Sequence, residues 1–148
     1  MATVKGVLKT VADAATESHT NPAGSSQAIL KVSQDTYEAS SLATGSLIEI
    51  GTKLPLNAIV YEAILGYDAL GASTSLSLGD AEDPDRYITN TATTSAGVTR
   101  LNAVNGMNYQ IDETAGTDAG NTDRQVLVTL VDSGSATNTI RATVFWAN

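Results

Sequence analysis

From residue 27 onward, apolar and polar residues alternate in short runs, the period-two signature of strands with one face toward a core. Residues 29–37 and 47–50 read as strands, the second after a Gly45-Ser46 turn. Residues 54–57 read as a connection, because Pro55 cannot donate to a central ladder. Residues 58–67 carry apolar side chains at both parities, which predicts a central strand. Strict alternation there puts Ile59, Tyr61, Ala63, Leu65 and Tyr67 on one face. A turn at 69–73, a half-buried strand at 74–78 and an acidic loop at 79–85 follow. Short strands at 86–89, 97–101 and 107–111, the last after the turn dipeptide Asn105-Gly106, lead to a Gly/Thr/Asp loop at 113–123. Strands at 125–131 and 139–146, joined by a hairpin at 133–136, end the pattern. Many short strands without βα alternation predict an all-β fold, an antiparallel β-sandwich of jelly-roll-like type.

Residues 1–26 break this pattern. Val4, Val7, Leu8 and Val11 form an apolar stripe, followed by Ala, Thr, Ser, Asn, Pro and Gly. Thr3, Val4, Gly6 and Thr10 are poor helix formers, so an extended N-terminal arm is expected over a short helix. The domain plan is then an arm over 1–26, ordered by contact with a neighbouring surface, and a sandwich over 27–148.

Composition narrows the chemistry. With 21 Ala, 20 Thr and one Phe and one Trp, the core of the 148-residue chain must be mainly aliphatic. A net charge of -8 with only 8 scattered basic residues argues against nucleic-acid binding, which needs clustered Lys and Arg. The chain lacks cysteine, so disulfides and thiolate sites are excluded. No run is long enough for a membrane helix and no signal peptide is read, so no membrane partner is expected.

Candidate sites are few. His19, the single histidine, sits in the polar part of the arm, where a catalytic base would have no rigid platform. Asp80, Asp83 and Asp85 could supply oxygen ligands to calcium, but they lack the spacing of an EF-hand loop and also suit a plain turn. Glu49, Glu62, Asp112 and Glu113 are acids on or near strands, with few aromatic rings to line a sugar cleft. Phosphate-binding, nucleophile-elbow and dinucleotide motifs are missing, so neither enzyme activity nor a cofactor is expected. Phe145 and Trp146 point to opposite faces of the last strand, so one ring of the two needs cover, and both are candidate interface residues with Val4, Val7, Leu8 and Val11.

Lys53-Leu54-Pro55, Ala58 and Val60 enter the long strand, Asp68-Ala69-Leu70-Gly71 turns out of it, and Thr74, Leu76, Leu78 and Gly79 mark the next strand. With the closing Thr143-Val144-Phe145-Trp146, these positions resemble the head-decoration and small virion structural proteins of tailed bacteriophages. The resemblance spans residues 27–148 and transfers no active-site residue. It implies a β-sandwich that decorates the outer capsid surface as a cement protein, often as a homotrimer. The implied partners are the major capsid protein and copies of the chain itself, after synthesis in the host cytoplasm. A receptor- or glycan-binding module of a head fibre or tail, and a tail-tube or head-completion protein, are the alternative expectations.

Overall fold

The structure, a computed structural model, describes residues 29–39, 43, 45–51, 53–111, 123–124, 127–130 and 138–148. The arm expected over 1–26 lies outside them, with His19, Val4, Val7, Leu8 and Val11. So do Asp112, Glu113 and the hairpin expected at 133–136.

The described strands are β1 (Lys31–Ala39), β2 (Leu47–Glu49), β3 (Leu54–Pro55), β4 (Ile59–Tyr67), β5 (Ser75–Gly79), β6 (Ile88–Ala92), β7 (Gly97–Arg100), β8 (Tyr109–Gln110), β9 (Asp123–Arg124), β10 (Leu127–Leu130) and β11 (Asn138–Ala147). A single 3₁₀ turn, Val104–Gly106, is the one helical element among the described residues. Pairing is nested: β1 with β11, β2 with β10, β4 with β7 and β5 with β6, all antiparallel. Two further pairings, β11 with β4 and β10 with β5, roll this nested ribbon into two sheets. The first runs β1-β11-β4-β7, with β8 beside the start of β4, and the second runs β2-β10-β5-β6. That order is a jelly roll, in which each half of the chain supplies strands to both sheets. The roll belongs to one compact unit, Leu30–Ala147.

The core lies between the sheets. From β11, Ile140, Ala142, Val144 and Trp146 point inward at a strict period of two, and all are buried. They meet Val60, Ala63 and Leu65 of β4 in register. The second sheet contributes Ile48, Leu76, Leu78 and Ile88, and Leu54, Leu70, Tyr87 and Ile111 complete the core cluster.

Two expectations are corrected. Phe145 pairs with Glu62 but Trp146 pairs with Val60, so Tyr61 is an extra residue in β4, a β-bulge. The bulge shifts the phase: Val60, Ala63 and Leu65 face the core, whereas Tyr61 is 45% exposed. The Glu62 carboxylate holds this irregular stretch by accepting N–H bonds from Ala63 (3.2 Å) and Leu101 (3.3 Å). Leu54–Pro55 is a strand rather than a plain connection, paired with Asp123–Arg124 in a two-stranded ribbon. Proline is tolerated because this ribbon is short and lies outside the two main sheets. A turn follows in which Ala58 N–H donates to the Pro55 carbonyl at 3.0 Å and Asn57 adopts φ 63°.

Candidate functional site

The acidic loop between β5 and β6 folds back over its own strand. Ser77, which points away from the core, is covered there and donates to the Pro84 carbonyl at 3.0 Å. This close return needs Gly79, because a Cβ there would sit 2.1 Å from the Asp83 carbonyl oxygen. Gly106 answers a similar demand on the neighbouring 3₁₀ turn, where a Cβ would meet the Arg86 carbonyl oxygen at 2.2 Å.

At the base of the loop Asp80, 1% exposed, faces Arg86, 8% exposed. Arg86 Nε donates to Asp80 Oδ2 at 2.7 Å, and its Nη2 donates to Glu82 Oε2 at 3.0 Å. Asp80 Oδ1 accepts the backbone N–H groups of Glu82 (3.1 Å) and Asp83 (3.0 Å). The guanidinium also stacks over the Tyr109 ring at 4.0 Å. Burial by itself pulls the Arg86 pKa down, but the hydrogen bond and charge of Asp80, together with the charges of Tyr109 and Asp83, hold the group above its ordinary value.

The three acids read as calcium ligands therefore do not converge. Asp80 turns inward to Arg86, while Asp83 lies between Arg86, whose Nη1 is 4.0 Å away, and Asp85. The hydrogen bond between Asp83 and Asp85, with their like charges, raises Asp85 above the usual carboxylate value. Among the described residues no group of three or more acids or histidines forms a cation cage. Nor are Glu49 and Glu62 a cleavage pair: they lie on β2 and β4 of different sheets, and Glu62 is tied to Arg100 at 3.2 Å. Tyr61 and Tyr67, read as sharing a face, are separated by the bulge. Tyr67 packs against the core, with its hydroxyl donating to the Ala92 carbonyl at 3.4 Å.

Of the aromatic interface candidates, Trp146 is a core residue, 8% exposed, with Lys31 Nζ 4.6 Å above its ring. Its Nε1 has no hydrogen-bond acceptor among the described residues. Phe145 lies on the outer face of the first sheet, half-buried between Val32 and Glu62 in register.

That outer face spans four strands of the first sheet. Across it run the rows Val32–Phe145–Glu62, Gln34–Thr143–Ile64–Arg100 and Thr36–Arg141–Gly66–Val98. A trough of about 590 Å³ opens in its middle, lined by Ile64, Gly66, Val98, Arg141 and Thr143, with Asp68 and Thr139 at one end. Arg86, Gly66, Val98 and Arg141 were not singled out from the sequence. For Arg86 a signal existed, an arginine closing a run of four acids. For the trough none existed, because it forms only where β4, β7 and β11 meet.

No protein-family model and no curated protein matches the chain. Solved structures do. A chain of the cyanophage Pam1 capsid asymmetric unit matches with TM-score 0.69 at 19% identity, covering 89% of this chain and 94% of that one. A chain of the Ralstonia phage GP4 capsid matches with TM-score 0.65 at 23% identity, covering 88% and 91%. A chain of the acidic stable capsid of Helicobacter pylori bacteriophage KHP30 matches with TM-score 0.58 at 10% identity, covering 81% and 88%. At such identities the likeness is one of fold, and it takes in nearly the whole of each chain.

Proposed function

We propose that this protein is a non-enzymatic virion structural protein that decorates the outer surface of a tailed-phage head. The observation that carries this reading is the two-way coverage of the fold match, 89% of this chain and 94% of a chain in a phage capsid structure.

The mechanism is cementing by many weak contacts. Copies associate around a symmetry axis, as a homotrimer, and bind the major capsid protein. The arm, residues 1–26, lays Val4, Val7, Leu8 and Val11 across a neighbouring subunit. Each arm gives up conformational entropy on binding, and linkage through the oligomer multiplies its effective concentration. Such an assembly resists internal pressure without making or breaking bonds.

The test is attachment to heads that lack the protein. Full-length protein should saturate them, and protein without residues 1–20 should keep its sandwich and its melting temperature but fail to attach. Undiminished attachment by the truncated form would remove the arm from the mechanism. Failure of full-length protein to attach to any head would remove the decorating role.

A further inference from the structure

Strand β1 is held in the first sheet by its ladder and by little else. Seven of its nine residues are exposed, and only Ser33 and Ala39 are buried. Ala39 is the one residue of β1 in the hydrophobic core cluster. An edge strand that buries so little is the kind of element that opens at least cost. The slot it fills, by contrast, is specific. Nine consecutive residues of β1 stand in register with β11, from Lys31 opposite Trp146 to Ala39 opposite Asn138. Lys31 Nζ covers the Trp146 ring at 4.6 Å, Arg141 Nε donates to Thr36 Oγ1 at 3.3 Å, and Thr139 Oγ1 donates to Glu38 Oε1 at 3.0 Å. Asp35 Oδ2 accepts the Gly51 N–H, just beyond β2, at 3.1 Å. Another copy of the chain presents every one of these partners in the same arrangement, so the strand that best fits the edge of β11 is β1 of any copy.

The connection to β2 allows such a transfer. Residues 40–46 join the two strands and carry one large side chain, Leu42. A turn ends the connection, with Ser46 N–H donating to the Ala43 carbonyl at 3.1 Å and Gly45 at φ 77°. Opening it needs rotation at a few small residues. Chain order supplies the occasion: β1 is made well before β11 and waits without its partner while other copies are completed. Assembly supplies the gain, because Val32 and Tyr37 of β1 remain 55% and 38% exposed in the closed chain, and packing copies side by side takes such side chains out of water. We propose that copies of this chain associate by exchanging β1, so that Lys31–Ala39 of one copy fills the β11 edge of the next. Passed around a symmetry axis, the exchange closes a ring, and it carries residues 1–28, joined to β1, onto the neighbouring copy. This inference rests on the self-association in the proposed function, and it names how that association is made.

The chain has no cysteine, so an introduced disulfide reports on the exchange directly. Gln34 and Thr143 stand opposite each other in the β1–β11 register, and directly opposed residues of antiparallel strands lie within disulfide reach. The full-length Gln34→Cys/Thr143→Cys protein is purified reduced, oxidised, and run on a denaturing gel without reductant, beside sedimentation equilibrium of wild type. Exchange should place most of the oxidised chains in covalent multimers that collapse to single chains on reduction. Q34C alone and T143C alone should remain single chains, and the two co-expressed should join in pairs. Thr36→Cys/Arg141→Cys, the next row on the same face, repeats the reading if the first pair folds poorly. A disulfide that forms within single chains refutes the exchange; if wild type still self-associates, the self-association stands and another contact makes it. A wild type that stays monomeric refutes the exchange and the self-association together, and head attachment by that monomer would still be read separately.

Discussion

Asp80 and Arg86 form a contact 2.7 Å long with both side chains nearly out of water. A pair placed like this is worth little when compared with two apolar groups, but each half is costly to bury alone. Asp80→Ala should therefore destabilise by about 3 kcal/mol in urea unfolding, since it removes the partner of Arg86 Nε, leaving Glu82 and Asp83 to face the guanidinium, and frees two backbone N–H groups. An apolar replacement of both residues should cost less than either single change. Two exposed acids act with opposite signs. The N–H groups of Gly51 and then Thr36 hold Asp35 below the ordinary carboxylate value, so its contribution is present above that value and is lost as pH falls through the depressed one. Asp85 is raised, so the native state favours its protonated form, and stability declines as pH rises through the raised value. Asp85→Asn should accordingly raise the melting temperature at pH 7 and leave it unchanged well below the carboxylate range. The same shift at both pH values would show that the Asp83–Asp85 repulsion is not felt. From sequence, the acids were visible as a cluster but not their division of labour. Which carboxylate turns inward is decided by Arg86 and by Gly79, and that contact exists only after the loop has folded back over Ser77.

On the scale of elements, β4 shows what alternation can and cannot reveal. Its existence and central place were legible, because apolar side chains at both parities require cover on both sides. Its facing was not, since one extra residue at Tyr61 reverses the phase of everything before it, and a bulge leaves no mark in a count of twos. Strand β11 lacks such an insertion, and Ile140, Ala142, Val144 and Trp146 alternate inward as counted. Beyond the bulge the facing is as counted, and it makes a sharp prediction for two neighbours. Leu65→Ala removes a fully buried side chain and should cost about 2–5 kcal/mol. Ile64→Ala, on the outer face and half-buried, should cost clearly less in the same denaturant titration. Equal costs would mean that the outer face is already packed in the monomer. Leu54–Pro55 was misjudged for a related reason: the rule that bars proline from a ladder applies to central strands, and only the folded chain shows which strands are central.

For the whole molecule, the strand inventory pointed to a sandwich, yet the nested pairing joins residues about a hundred positions apart in β1 with β11 and about eighty apart in β2 with β10, which no local pattern records. The same long-range folding separates the surface into unlike regions. Acids gather on the loop from Asp80 to Asp85, while the outer face of the first sheet sets Arg100 and Arg141 against Glu38, Glu62 and Asp68 among the apolar Val32, Ile64 and Val98. Two forces then compete when copies meet: long-range repulsion set by the net charge of -8, and short-range burial of apolar side chains. Salt acts on the first far more than on the second, because the Debye length shrinks from about 30 Å at 0.01 M to about 10 Å at 0.1 M. Self-association of copies through apolar burial should therefore strengthen as salt is raised over this range, and strengthen again as pH is lowered toward the pI near 4.3. Sedimentation equilibrium across a salt series reads this directly. Weakening with salt would mean that ion pairs, rather than buried apolar side chains, hold the copies together.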